Sequence, residues 1–414
     1  MLRVCHPPHR LDFTLTHWLA TAASLWRRDD GAARGALETT WAPAGDGLAF
    51  LSVRSAFDCA LTALDWPPGS EVLVSEVNIR EMVDLVRQHG LVPVPLPVDP
   101  HTMQPPPDAI DRAVTPQTRG VLLAHLFGAR ADAAAFFARA RRHGLFCFED
   151  AAQAFSSPAE RGDRQADVSL FSFGTIKTAT ALGGALARVS DPALTTRMAA
   201  IQATWPLQPR RRYAARLGLA LFFLALQTPL LYTLFSALCR LRRTDGCAVV
   251  RGMTRSFRGL DGGAYLRALR HRPCAPLCRA VRRRLATFTG RTARRLEARR
   301  RWGVEVAAAA FVPGAAHAAH SHWLIPVEVD DVERVQEALR AVGIDGSSPS
   351  NLVSLGPAPG PMERLVFVPA YPELPRAARR SLLGALEAHV PRGGGRERAA
   401  RAVWGVPPTP SQQC

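Results

Sequence analysis

Lysine is almost absent from this 414-residue chain. Of its 52 cationic side chains, 51 are arginine and one, Lys177, is lysine. A GC-rich coding bias produces such a composition, so the scarcity proves nothing by itself. It does exclude every other position from chemistry that needs an ε-amino group. Acidic residues are scarce in one segment. Residues 210–301 hold 23 Arg against Asp245, Asp261 and Glu297, a local net of +20 in a chain of net +17. The remainder is therefore slightly acidic. Aromatics are sparse at 7% and do not interleave with these arginines, so nucleic acid is not an expected partner.

A cysteine framework is also lacking. Eight cysteines are scattered without paired spacing, which reads as reduced thiols in a cytoplasmic setting. Cys274 and Cys278 have no second Cys/His pair behind them, and His317, His320 and His322 have no acidic partners, so no metal is expected. Phe13 to Trp26 lacks a basic leader and a small-residue cleavage site and predicts a first helix, not an export signal. At 47% hydrophobic and 21% charged, the chain is neither disordered nor collagen-like.

What is present is an alternation of buried-strand and helical patterns from about 48 to 190. Runs at 71–75, 92–96, 120–124, 145–149, 167–173 and 184–189 predict strands. Segments 54–65, 78–89, 106–113 and 131–142 have helical spacing, and another helix begins near Pro192. This argues for a mostly parallel α/β sheet that meets ligands at its strand carboxyl ends. The pattern resumes at 323–327, 331–342 and 365–369 as a smaller α/β unit. The expected division is 1–208, an insertion at 209–302, a small domain at 303–392 and a disordered tail at 393–414.

Within 209–302, Leu217 to Cys239 runs 23 residues without a charge and with basic flanks. By length it could span a bilayer, but Pro229 breaks it and both flanks favour the same side. A bent pair dipping into one leaflet, with arginines on anionic headgroups, and a buried helix pair at a dimer interface both remain open.

Four stretches carry chemistry. Phe148-Glu-Asp150-Ala-Ala-Gln153 places a carboxylate at a strand end. Ser172-Phe-Gly-Thr-Ile-Lys177 sets a hydroxyl five residues before the lysine. Ser52-Val-Arg54-Ser55 opens a helix, where an N-cap or a phosphate contact suits Ser55 equally. His125-Leu-Phe-Gly128 closes a strand, with His125 read chiefly as structural. An amine, a buried acid and a phosphate-binding helix end are what pyridoxal phosphate requires.

These stretches, with Pro68-Gly-Ser-Glu71-Val, Gly90-x-x-Pro93-Val, Asp99-Pro-x-Thr102 and Pro369-x-Tyr371-Pro372, resemble the DegT/StrS family of fold-type-I aminotransferases. The likeness runs from about Phe50 to Val189 and more weakly over 320–380. It implies that Lys177 bonds covalently to the cofactor aldehyde and then carries a proton. It implies that Asp150 pairs with the ring nitrogen, that Gln153 sits near the phenolic oxygen, and that Ser172 and Ser55 bind the phosphate. Lysine at 177 implies transamination, where dehydratase relatives carry histidine. By the same likeness, an amino group moves, from glutamate, to a keto or aldehyde group of a sugar or lipid-linked precursor. The expected assembly is a homodimer, peripheral on the inner face of a membrane and meeting an anionic surface through 210–301.

Departures from the family pattern motivate one alternative, a catalytically decayed, membrane-tethered scaffold. The phosphate loop reads Val53-Arg54 where a small Gly-Thr pair is usual, with Arg54 expected to supply a cationic contact. A ring-stacking aromatic is missing near 77–83, Phe155 stands where many relatives have His, and no Gly-x-Asn-x-Arg element follows residue 200.

Overall fold

The computed structural model describes residues 4–390 apart from 28, 131, 132, 245, 255–259, 261, 318, 350, 351 and 357–360. The tail expected at 393–414 lies outside the described residues.

Two helices lead the chain: α1 (Leu15–Ala23), capped by the Thr14 hydroxyl, and α2 (Asp30–Trp41). The alternating region follows as β1 (Gly47–Phe50), α3 (Val53–Leu64), β2 (Glu71–Ser75), β3 (Val77–Ile79), α4 (Arg80–Gln88) and β4 (Val92–Leu96). It continues through α5 (Ala109–Ala113), β5 (Thr118–Ala124), α6 (Ala134–Arg142), β6 (Phe146–Asp150), β7 (Val168–Ser172), β8 (Ala185–Val189) and α7 (Pro192–Ala203). Asp191 caps α7 with Pro192 in its first turn, where a missing N–H costs nothing.

Seven strands form one sheet in the order β1-β8-β7-β6-β5-β2-β4. Strands β4, β2, β5, β6 and β7 run parallel, and β8 and β1 close one edge antiparallel. The fold is the mixed α/β, mostly parallel arrangement of the fold-type-I transferases. The central strands are apolar on both faces because helices cover both sides. Their carboxyl ends gather Asp150, Ser172 and the turn after β5 at one rim.

The segment expected as an insertion at 209–302 is built of helices: α8 (Arg210–Leu226), α9 (Pro229–Leu241), α10 (Gly246–Thr254), α11 (Gly262–Leu269), α12 (Ala275–Ala286) and α13 (Ala293–Ala309), the last of which runs on past the expected boundary at 302. A C-terminal unit follows, with β9 (Ile325–Glu328), α14 (Val332–Ala341), β10 (Leu352–Ser354), β11 (Leu365–Val368) and α15 (Arg376–His389). Strands β9 and β11 pair antiparallel, and β10 reaches across to pair with β3 of the large unit.

The long apolar run is broken where proline predicts, with Pro229 in the first turn of α9. No single described helix is long and apolar enough to cross a membrane; α8 and α9 qualify together only as a pair bent by 100°. One stripe of α8 (Tyr213, Leu217, Ala220, Phe223 and Leu226) packs into the core with Phe171 and Leu186 of the sheet. The opposite side leaves Leu221, Phe222, Leu230, Leu231, Leu234, Leu238 and Leu241 exposed, with Leu230 at 71% and Leu241 at 82%.

The structure divides the arginines of this segment into two sets. Arg284, Arg291 and Arg295 surround the buried Asp12 carboxylate, at 2.6, 2.7 and 3.3 Å, and Arg270 pairs with Asp58 at 2.9 Å. These hold the insertion to the large unit. Arg211, Arg212, Arg240, Arg242 and Arg243, at the outer ends of the α8–α9 pair, are exposed. The +20 is therefore shared between internal counter-charging and surface.

Candidate active site

The rim of the sheet opens into a cavity of about 270 Å³. Its floor is Asp150, Gln153, Ser172, Gly174 and Lys177; Ser52, Val53 and Arg54 enter from the start of α3, Arg216 from α8 and Trp323 from the segment before β9. Five of the six residues singled out from the sequence thus line one cavity.

Lys177 lies in a loop that closes on itself. The Phe173 amide donates to the Gly184 carbonyl at 2.9 Å, and the Ala181 and Gly183 amides donate to the Phe173 carbonyl at 3.0 Å. The closure forces φ of +55° on Ala179 and +64° on Leu182, a conformation that costs about 1–3 kcal/mol at non-glycine positions and gathers at functional sites. The Nζ sits 3.7 Å from the centroid of the Trp323 ring, whose indole N–H donates to the Ile176 carbonyl at 2.8 Å. Burial pushes the lysine down to about 7, with Asp150 opposing that shift and Arg54 adding to it. About half the amine is then unprotonated near neutrality, the form that attacks a carbonyl.

The unfolded chain keeps a proton up to the usual 10.5 that the folded chain releases near 7. Folding stability without cofactor should therefore rise between those values, by up to about 1.4 kcal/mol per pH unit, and its cost should be constant below 7. Denaturant titrations of the cofactor-free protein at a series of pH values measure this slope. Lys177→Met should flatten it.

Asp150 ends β6 and is buried. One carboxylate oxygen accepts from the Ala152 amide at 2.9 Å, leaving the group oriented toward the cavity. Burial raises its pKa, against the pull of the Ala152 amide and of Lys177. A cation placed beside it would favour the carboxylate. The Gln153 side-chain oxygen accepts from the Phe127 amide at 2.9 Å. Phe127 and Gly128 take φ of +57° and +97°, so the His125-Leu-Phe-Gly motif is the turn that delivers this amide. His125 faces away from the cavity. Its Nε2 meets Glu149 at 2.9 Å and its Nδ1 meets Gln104 at 3.2 Å, behind the sheet, where His125 and Arg130 overcome burial and hold Glu149 down at about 2.

Ser55 is the correction. It occupies the third position of α3, where the side chain turns inward and its hydroxyl donates to the Leu269 carbonyl of α11 at 2.9 Å. The structure does not bring it to the cavity lining; the N-cap Ser52 is there in its place. Arg54 lies in the cavity with Glu81 at 3.6 Å. Ile79 and Met82 form the wall where an aromatic is missing. Sequence reasoning also missed Trp323 and Arg216. Neither lies in a motif, and only the fold brings them to residue 177.

Residues 38–219 match the DegT/DnrJ/EryC1/StrS aminotransferase family. The matched stretch runs from α2 through the sheet of the large unit into α8. The fold is shared with the aminotransferase TlmJ from Streptoalloteichus hindustanus, at 17% identity over 94% of this chain and 98% of that one, with a TM-score of 0.65. Helicobacter pylori PseC, an aminotransferase of pseudoaminic acid biosynthesis, superimposes with a TM-score of 0.65 at 12% identity, over 93% of this chain and 98% of that one. NtdA from Bacillus subtilis, with bound PMP, matches at 17% identity over 90% and 81%, with a TM-score of 0.61.

The matched family is one of pyridoxal-phosphate-dependent aminotransferases. The residues present fit the cofactor. The one lysine is buried with its amine partly unprotonated, a buried carboxylate is coupled to it, and arginines and a serine line the same cavity. A decayed scaffold has no reason to keep this set together.

Proposed function

We propose that the enzyme moves an amino group, taken from glutamate, onto a keto or aldehyde carbon of a sugar or lipid-linked precursor, working as a homodimer at the inner face of a membrane. When bound, pyridoxal phosphate supplies the aldehyde and the electron sink for this exchange. The single observation that carries the reading is Lys177 and Asp150 in one cavity, each perturbed by burial and by the other. Lys177 would hold the cofactor and move a proton from the α-carbon of the donor. Asp150 would keep the ring nitrogen protonated, Gln153 would orient the phenolic oxygen, and Ser172 and Arg54 would hold the phosphate. Residues 1–208 with 303–392 would form the catalytic body, and 209–302 the insertion.

What supports a lipid-linked acceptor is the two-sided α8–α9 elbow. Its inner side (Phe223, Leu226 and Tyr232) lines the catalytic cavity, while its outer side carries the exposed leucines between basic ends. Apolar area and flanking arginines both favour an anionic bilayer surface.

The function is tested by mixing the purified, cofactor-loaded protein with glutamate alone. Stoichiometric 2-oxoglutarate in a single half-reaction is expected, and its absence with active cofactor-bound protein would remove glutamate as the donor. Membrane contact is tested by flotation with vesicles containing phosphatidylglycerol. Replacing Leu230, Leu234 and Leu238 together with glutamate should weaken binding at least about a hundredfold. Wild-type protein that stays at the bottom of the gradient would leave the exposed leucines to a protein interface.

A further inference from the structure

Arg216, on α8, lines the catalytic cavity together with Ser52, Arg54, Gly183 and Gly184. Its guanidinium lies over Gly183, so close that a Cβ there would come within 2.8 Å of Nη1. Its one hydrogen bond among the described residues is a long one, from Nη1 to the Leu182 carbonyl at 3.4 Å. No carboxylate of a described residue lies within ion-pair distance. Its charged neighbours include Arg54, itself 3.6 Å from Glu81, and Arg212; burial lowers its pKa, Tyr213 opposes that shift and these two arginines add to it. A largely buried guanidinium facing cations is costly unless an anion joins it. The start of α3 adds N–H groups at the same wall: the Ser52 hydroxyl accepts from the Ser55 amide at 3.2 Å and the first intrahelical bond is Ala56 to Ser52, which leaves the Val53 and Arg54 amides outside the intrahelical ladder.

We infer that Arg216, with Arg54, binds a phosphate dianion in this cavity, so that the helical insertion supplies part of the anion site from within the same chain. Arg216 stands on the same helix whose far side is apolar and exposed, so the insertion is not a separable appendage of the catalytic unit. The phosphate is either the cofactor's or one carried by the acceptor. The inference rests on the cofactor assignment only for the first source.

The test uses the full-length protein freed of cofactor, in wild-type, R216Q, R216K and R211Q forms, with far-UV circular dichroism confirming the fold. Arg211 is an exposed arginine five residues away and serves as the charge control. Titration with pyridoxal phosphate and with pyridoxal, and thermal unfolding with and without inorganic phosphate, are the readouts. R216Q is expected to weaken pyridoxal phosphate binding about 10- to 100-fold, with R216K intermediate and R211Q unchanged, while pyridoxal binding stays constant. The thermal stabilisation by inorganic phosphate should disappear in R216Q.

Loss of the phosphate stabilisation with unchanged pyridoxal phosphate affinity would also support the site and assign it to the acceptor's phosphate. Unchanged cofactor affinity and unchanged phosphate stabilisation in folded R216Q would overturn the proposal. So would an equal loss in R211Q, which would reduce the effect to general charge. Wild-type protein that binds no pyridoxal phosphate would refute the cofactor assignment, while the inorganic phosphate arm would still judge Arg216.

Discussion

Lys177→Ala is expected to lower turnover by at least about 10⁴-fold while leaving the fold intact, because it removes the amine proposed to act both as nucleophile and as proton carrier. The chain has no other lysine to take over, a circumstance that makes the test unusually clean. The amine is enclosed between the Trp323 ring and the cavity, and its pKa near 7 means that little energy is needed to deprotonate it for attack. The side chain makes no hydrogen bond to a described residue that supports the loop; closure comes from the Phe173, Ala181 and Gly183 backbone groups. The variant should therefore unfold at or above the denaturant concentration of wild type, since a buried cation's penalty is gone. Borohydride should attach the cofactor irreversibly to wild type, seen as a mass increase on the peptide containing residue 177, and should fail to do so in the variant. Residual turnover within tenfold of wild type would refute the role assigned to this residue.

Asp150→Asn should cost about 10²–10³-fold in turnover, a magnitude typical of removing one preorganised electrostatic partner from a buried site. Asparagine has nearly the same shape, and its amide oxygen can still accept from Ala152, so the strand end should not move. What it loses is the negative charge proposed to hold a proton on a ring nitrogen. The loss should fall on kcat for both half-reactions, and the absorption maximum of bound cofactor should shift without loss of cofactor affinity beyond about tenfold. Weak binding with normal kcat would point instead to a purely positional role. Glutamate at this place would keep the charge but carry it one methylene further into the cavity, so Asp150→Glu should recover less than full activity.

Much of this was legible from the chain alone. The strands at 71–75 and 92–96 coincide with the expected runs, and the others differ by one or two residues at their ends. Buried parallel strands reveal themselves because helices on both faces demand uninterrupted apolar residues. Pro229 marked the break in the long apolar run because proline is tolerated in a first helical turn and not in the middle of a helix. Ser55 was misplaced for a local reason. Motif spacing located the start of α3 but not which of its first-turn side chains faces the ligand, and at the third position the hydroxyl turns toward Leu269.

The lone lysine, its carboxylate partner and the serine five residues before it were thus determined by the sequence, since their spacing is short and is carried on strand ends and tight turns. Trp323 over Lys177 and Arg216 over Gly183 were decided by tertiary structure alone. These contacts join segments far apart in the chain, and no local periodicity records which side chain meets which. The basic charge makes the same distinction. Its total of +17 follows from composition, but only the packing of Arg284, Arg291 and Arg295 around Asp12 separates the arginines that hold the molecule together from those left facing outward.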